Sequence, residues 1–219
     1  MTQTLFLTST GIVPEVRKDF LSLLSKKPED VKVLSITTAA YGENKDPWWL
    51  KKDVELLHDC GIQHIEEFDL KDKNMKDVEK AFEGKDIVFV NGGNTFYLLH
   101  WVKESGFDTI VKKFLKRGGM YVGVSAGSYL VCPTIEAATW KRADRNKVGL
   151  TDLNSLKFVS FLITAHFKEE YRAIVEKESK KTKYPIVALT DTQAILVQGK
   201  KIKIVGSGKK EFWNGFEES

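Results

Sequence analysis

The residues of this chain best equipped for chemistry are one glycine-flanked serine, four histidines and a few carboxylates that follow apolar runs. Gly123-Val124-Ser125-Ala126-Gly127 stands between an apolar run beginning at Met120 and a helix-forming stretch. G-x-S-x-G in that context is the pattern of a nucleophile elbow, a sharp turn that lifts a serine clear of a sheet. Gly123 and Gly127 remove side chains where strand and helix approach closely, and the N–H of Ala126 points to where an oxyanion would form above the Ser125 hydroxyl. Taken alone, the motif also describes a plain strand-to-helix turn with a surface serine. A second glycine turn, Asn91-Gly92-Gly93-Asn94-Thr95, follows the run 87–90 and precedes a helix that Asn94 or Thr95 can cap. The N–H of Gly93 or Asn94 is its natural oxyanion donor.

A serine nucleophile needs a base within hydrogen-bond reach. His58 lies late in a helix, His64 opens a strand at the wrong end of a sheet, and His100 lies about two turns into a helix. His166 follows the run 159–164 and precedes helical sequence from Lys168, so elimination leaves it as the base. The acid that orients it is expected at Asp191, directly after the run 186–189, with Glu136, Asp144 and Asp152 as alternatives.

These positions presuppose a frame. Runs 4–7, 31–36, 87–91, 121–124, 159–164 and 186–189, with a weaker one at 65–68, read as buried parallel strands. Helical periodicity occupies 14–25, 47–60, 75–82, 95–114 with a break at Gly106, and 168–180. The alternation predicts a doubly wound, mostly parallel α/β sheet with helices on both faces. Runs 194–198 and 201–205 around Gly199-Lys200 predict a C-terminal β-hairpin at its edge. In such sheets function gathers beyond the carboxyl ends of the strands, where Ser125, His166 and Asp191 all fall.

With 219 residues and no linker or repeat, residues 1–219 are expected to form a single domain. The net charge of +4 is spread along the chain, and the densest cluster, 177–183, ends a helix, so no nucleic-acid partner is expected. Two cysteines, Cys60 and Cys132, give neither a disulfide framework nor metal-ligand spacing, and no apolar stretch is long enough to span a membrane. A cytoplasmic protein without cofactor or metal, a monomer or homodimer, fits these facts.

Together, Asn91-Gly92-Gly93-Asn94-Thr95, Gly123-Val124-Ser125-Ala126-Gly127 continued by Cys132-Pro133-Thr134-Ile135, and Thr164-Ala165-His166-Phe167 make the chain resemble the peptidase E family. These are cytosolic serine peptidases related to cyanophycinase, with a fold like the class I glutamine amidotransferases. The resemblance covers nearly the whole chain. It implies Ser125 as nucleophile, His166 as base, and Gly93 and Ala126 as oxyanion donors. It also implies cleavage of Asp-X dipeptides, with basic residues near the histidine holding the acidic side chain; Lys168 and Arg172, at i and i+4 of a helix, are the candidates. Two departures stand out. The family's acid fifteen positions after the nucleophile is here Trp140, leaving its later acid to Asp191, and the loop after His166 is compressed.

Among other hydrolases, an α/β-hydrolase esterase would need more chain between Ser125 and His166, and an amidotransferase needs a cysteine where Ser125 stands. The rival from another class is a non-catalytic peptide- or metabolite-binding protein on the same scaffold, with Trp48, Trp49 and Trp140 lining its pocket.

Overall fold

A computed structural model describes residues 3–141 and 144–219. The apolar runs form β1 (Thr4–Thr8), β2 (Lys32–Ile36), β3 (His64–Phe68), β4 (Ile87–Val90), β5 (Met120–Val124), β6 (Leu162–Thr164) and β7 (Ile186–Ala188). Beyond them lie β8 (Gln193–Gln198), β9 (Lys201–Gly206) and β10 (Glu211–Trp213). The helices are α1 (Pro14–Leu21), α2 (Thr38–Glu43), α3 (Trp48–Asp59), α4 (Met75–Ala81), α5 (Thr95–Ser105), α6 (Phe107–Lys116), α7 (Ala126–Leu130) and α8 (Arg172–Ser179).

The main sheet runs β3-β2-β4-β5-β1-β8-β9. Its first five members are parallel, and the β8–β9 hairpin closes one edge antiparallel. Alternate side chains of a strand point to opposite faces, and here both faces are covered. Phe6, Val33, Phe89 and Val122 pack under Val16 and Phe20 of α1 and Leu57 of α3. Leu5, Leu34, Val88 and Tyr121 meet Val78 of α4, Leu98 and Leu99 of α5, and Val111 and Phe114 of α6 on the other side. This double burial is why β1, β4 and β5 are near-continuous apolar runs, and it makes the protein a doubly wound α/β fold.

Three local expectations shift. β6 and β7 leave the main sheet and pair in parallel with each other, with β10 antiparallel to β7, as a separate three-stranded sheet. The reason is edge occupancy: β8 lies along the whole of β1, from Thr4 opposite Gln198 to Thr8 opposite Ala194, so β1 has no free edge for β6. The helix expected from Lys168 starts at Arg172, after a 3-10 turn at Glu169–Tyr171, and Lys168 itself is extended at φ −132° and ψ 156°. Finally, residues 39–43, which lie outside the runs expected as strands or helices, belong to α2. Gly42 serves there as a contact rather than a turn, since a Cβ at that position would lie 2.4 Å from Tyr97 Cδ1 of α5.

Strand register sets up the site. Thr8 pairs with Val124, and Val90 with Gly123, so the loops leaving β1, β4 and β5 emerge side by side.

Candidate active site

At the end of β5 the chain turns through Ser125 at φ 47° and ψ −102°, a conformation that side chains rarely adopt. Such backbone costs on the order of 1–3 kcal/mol and persists only where its surroundings over-determine it. They do so here. Ser125 N–H donates to the Thr8 carbonyl at 2.9 Å, and its own carbonyl accepts from Ser128 and Tyr129 N–H at 2.8 and 3.0 Å as α7 begins. Helix α7 then lies so close to β4 that a Cβ at Gly127 would stand 2.2 Å from the Val90 oxygen.

His166 follows β6, itself at φ 55°. Its N–H donates to Ser9 Oγ at 3.0 Å, Ser9 donates in turn to the Leu189 carbonyl at 3.1 Å, and Thr10 Oγ1 donates to the Asp191 carbonyl at 2.7 Å. The loop after β1 therefore ties down the loops that carry His166 and Asp191. The three side chains meet in a line: His166 Nε2 lies 3.0 Å from Ser125 Oγ, and Nδ1 lies 2.7 Å from Asp191 Oδ1. The hydrogen bond from His166, opposed by partial burial, holds the Asp191 carboxyl below its ordinary range, with smaller help from the charges of His166, Lys168 and Lys141. A carboxylate at Nδ1 favours the tautomer whose Nε2 lone pair faces the hydroxyl, which is what proton removal from Oγ requires.

Of the backbone donors expected nearby, Ala126 opens α7, so its N–H has no acceptor within that helix. Gly93 adopts φ +142°, and a Cβ there would lie 2.2 Å from the Ala39 oxygen, which only glycine tolerates. Asn94 requires correction: its N–H is spent on the Ala39 carbonyl at 2.8 Å. Its side chain caps α5 through Tyr97 N–H and donates to Glu43 and to the Arg145 carbonyl, so its work is structural.

The basic pair also separates. Arg172 is gripped by Glu169 and Glu211, the latter at 2.7 Å, and lies over the rings of Phe167 and Trp213, away from the cavity beside Ser125. Lys168 is exposed and acts only as a distant charge on Asp191. The alternative acids are engaged elsewhere: Asp144 accepts from Thr95 N–H at 2.8 Å, with burial raising its carboxyl, and Asp152 pairs with Lys103 at 2.9 Å on the surface. Glu136 sits in a 3-10 turn with one buried, unpaired oxygen among the described residues. Trp140, which the binding-protein reading placed in a pocket, is buried in the core.

A cavity of about 250 Å³ opens beside Ser125, lined also by Trp48, Trp49, Gly93, His166 and Asp53. Trp49 Nε1 donates to the Gly92 carbonyl at 3.1 Å and fixes the second glycine turn. Asp53 had no part in the sequence reading, although Leu50, Asp53 and Leu57 form one buried stripe of α3 and a carboxylate in such a stripe is a signal. Lys141 was missed as well. It donates to the Ala165 carbonyl beside His166, lies 5.4 Å from the centre of the Tyr171 ring, and burial pushes its amine down to about 8 against the charges of Asp191 and Asp144. Nothing in the pattern around it marks it out. Among the described residues no cluster of His, Cys, Asp and Glu has the geometry of a metal site, and no helix is long and apolar enough to cross a membrane.

Comparisons with known proteins find related peptidases. The uncharacterized peptidase Lmo0363 of Listeria monocytogenes is 29% identical over 208 residues, 91% of this chain and 97% of its own. Peptidase E of Escherichia coli is 38% identical over 87 residues, 40% of this chain and 36% of its own. The crystal structure of a candidate peptidase E protein from Listeria monocytogenes superposes with a TM-score of 0.82 at 24% identity, covering 95% of this chain and all of that one. A peptidase from an acI-B1 actinobacterium superposes with a TM-score of 0.70 at 16% identity. The model of peptidase family S51 matches residues 5–205, and the chain belongs to that family.

Proposed function

We propose that this serine peptidase hydrolyses short peptides through an acyl-enzyme, with Ser125 as nucleophile, His166 as base then acid, and Asp191 as the group that orients and balances the imidazole. The carrying observation is the unbroken hydrogen-bond line Asp191–His166–Ser125 at 2.7 and 3.0 Å. His166 takes the Oγ proton as Oγ attacks the carbonyl carbon, and the oxyanion accepts from the N–H groups of Gly93 and Ala126. His166 then returns the proton to the leaving amine. Water, deprotonated by the same imidazole, releases the acyl group.

A cavity of about 250 Å³ favours substrates as small as dipeptides. An acidic first residue finds little support: Arg172 is held by two glutamates, and the buried ionisable side chain of the cavity is the carboxyl of Asp53. Asp-Ala and Asn-Ala are therefore expected to be cleaved within about 10-fold of each other; an unpaired cation awaiting an acidic side chain would separate them by about 10² or more. A cytosolic setting fits the free, buried thiols Cys60 and Cys132, which burial pushes up to about 11 and about 12.

Ser125→Ala tests the reading. It should fold as wild type and lose nearly all hydrolysis, and a fluorophosphonate should label wild type at Ser125 but not the variant. A variant keeping more than about a tenth of wild-type kcat/KM would dismiss the nucleophile, and an unlabelled, inactive wild type would favour a binding protein.

A further inference from the structure

Asp53 has no part in the chemistry above, yet its side chain stands in the wall of the cavity that holds Ser125 and His166. It projects from the buried stripe of α3, 5% exposed, against the loop after β1, where a Cβ at Gly11 would lie 2.6 Å from its Oδ1. Buried carboxylates are normally paired or hydrogen-bonded. Among the described residues this one accepts no hydrogen bond, and three side-chain donors of the cavity wall are committed elsewhere. Ser9 donates to the Leu189 carbonyl, Thr10 to that of Asp191, and Trp49 Nε1 to that of Gly92. Of the charged and titratable groups around the cavity, Lys52 on the same helix is exposed and only weakly offsets the cost of burial, and His166 faces the space from the opposite loop, engaged with Ser125 and Asp191. Burial pushes the Asp53 carboxyl up to about 7. Trp48 and Trp49, edge to face at 6.1 Å, present ring surfaces to the same cavity, and such surfaces attract cations.

We infer that Asp53 is the cation-binding group of the substrate pocket, pairing with a positive charge on the residue whose carbonyl Ser125 attacks. This rests on the peptidase reading for the identity of that residue. The shared chemistry is an ammonium, supplied either by a free α-amino group or by a basic side chain. Either one gives the buried carboxylate the partner that the fold withholds and lets it ionise where it otherwise resists.

The test compares 4-nitroanilides of alanine, N-acetyl-alanine and N-acetyl-lysine with wild type and Asp53→Asn. A cationic substrate should exceed N-acetyl-alanine anilide in kcat/KM by about 10-fold or more, the scale of a hydrogen bond to a charged group. Asp53→Asn should bring that ratio below about 2. An advantage for the alanine anilide identifies the α-ammonium, and one for the N-acetyl-lysine anilide identifies the side chain. Equal rates on all three substrates in wild type, or a preference that survives in the variant, would overturn the assignment. Binding to Ser125→Ala gives a readout that needs no turnover. Alaninamide, N-acetyl-lysinamide and N-acetyl-alaninamide are titrated calorimetrically at pH 6 in two buffers of different ionisation enthalpy. The cationic ligand should bind selectively and release a proton, and adding Asp53→Asn should abolish both effects. Absence of cation-selective binding would sink the role of Asp53 even in an active peptidase. Selective binding by a protein that cleaves nothing would uphold that role and sink the peptidase reading.

Discussion

Asp191 lies at the exposed end of the proposed relay, its side chain half open to solvent like that of His166. Solvent screens its charge, so it contributes more by orienting the ring than by field strength. Asp191→Asn keeps the shape and an acceptor but favours the wrong imidazole tautomer. The expected loss is about 10² in kcat, short of the roughly 10⁴ found when a fully buried triad aspartate is so changed. The melting temperature should barely move, because an exposed pair contributes on the order of 1 kcal/mol or less. Unchanged kcat beside an unchanged melting temperature would send the search back to Glu136, Asp144 and Asp152, although Asp144 and Asp152 are already engaged with Thr95 and Lys103.

At the scale of elements, the site is assembled by loops that meet over the rim of the main sheet, and the loop after β1 is their clasp. Ser9 accepts from His166 N–H and donates to the Leu189 carbonyl, joining the ends of β6 and β7 to that of β1. Ser9→Ala leaves the part-buried His166 N–H without its partner, at a cost of about 1–3 kcal/mol, while the Leu189 carbonyl keeps its second donor, Phe167 N–H at 2.8 Å. It also frees His166 from the hydrogen bond that helps to hold it at φ 55°. Denaturant unfolding should show the lost stability, and kcat should fall by about 10-fold or more as the imidazole leaves its alignment. A destabilised variant with wild-type turnover would mean that the clasp supports the fold alone. The separation of β6 and β7 from the main sheet makes this clasp necessary, because no ladder of hydrogen bonds runs between the strand before Ser125 and the strand before His166.

For the molecule as a whole, a buried and unpaired carboxylate imposes a pH-dependent cost. Asp53 titrates at about 7 in the folded chain against an ordinary value of 3.8, so the folded state keeps a proton that the unfolded state has already lost. Stability accordingly falls as pH rises from about 4 to about 7, and the whole penalty is present above that range. Each tenfold difference in proton affinity between the two states is about 1.36 kcal/mol, so the penalty reaches up to about 4 kcal/mol at pH 8. Asp53→Asn should therefore raise the melting temperature by several degrees at pH 8 and leave it near wild type at pH 4. Equal melting temperatures at both pH values would mean that Asp53 is solvated or paired in solution. A gain in stability alongside a loss of cation selectivity would be the mark of a residue kept for function.

The apolar runs by themselves determined the doubly wound sheet, the edge hairpin and the helix break at Gly106, because burial on both faces leaves a pattern that local sequence must carry. Ser125, His166 and Asp191 were legible for a related reason: each stands just past the carboxyl end of a strand, so locating the strand locates the residue. Tertiary structure alone decided the rest. Whether β6 joins the main sheet depends on β8 having taken the edge of β1, a competition between segments about 30 residues apart in the chain. Asn94 lost its place as a donor to a contact with Ala39, 55 positions earlier, and Arg172 was taken from the pocket by Glu211, 39 positions later. Asp53 gained its place in the same way: its position in the stripe of Leu50 and Leu57 marks which way it faces, but only the loop after β1, lying against it, makes it part of the cavity wall. Periodicity records which way a side chain faces, and only the folded chain decides what it meets there.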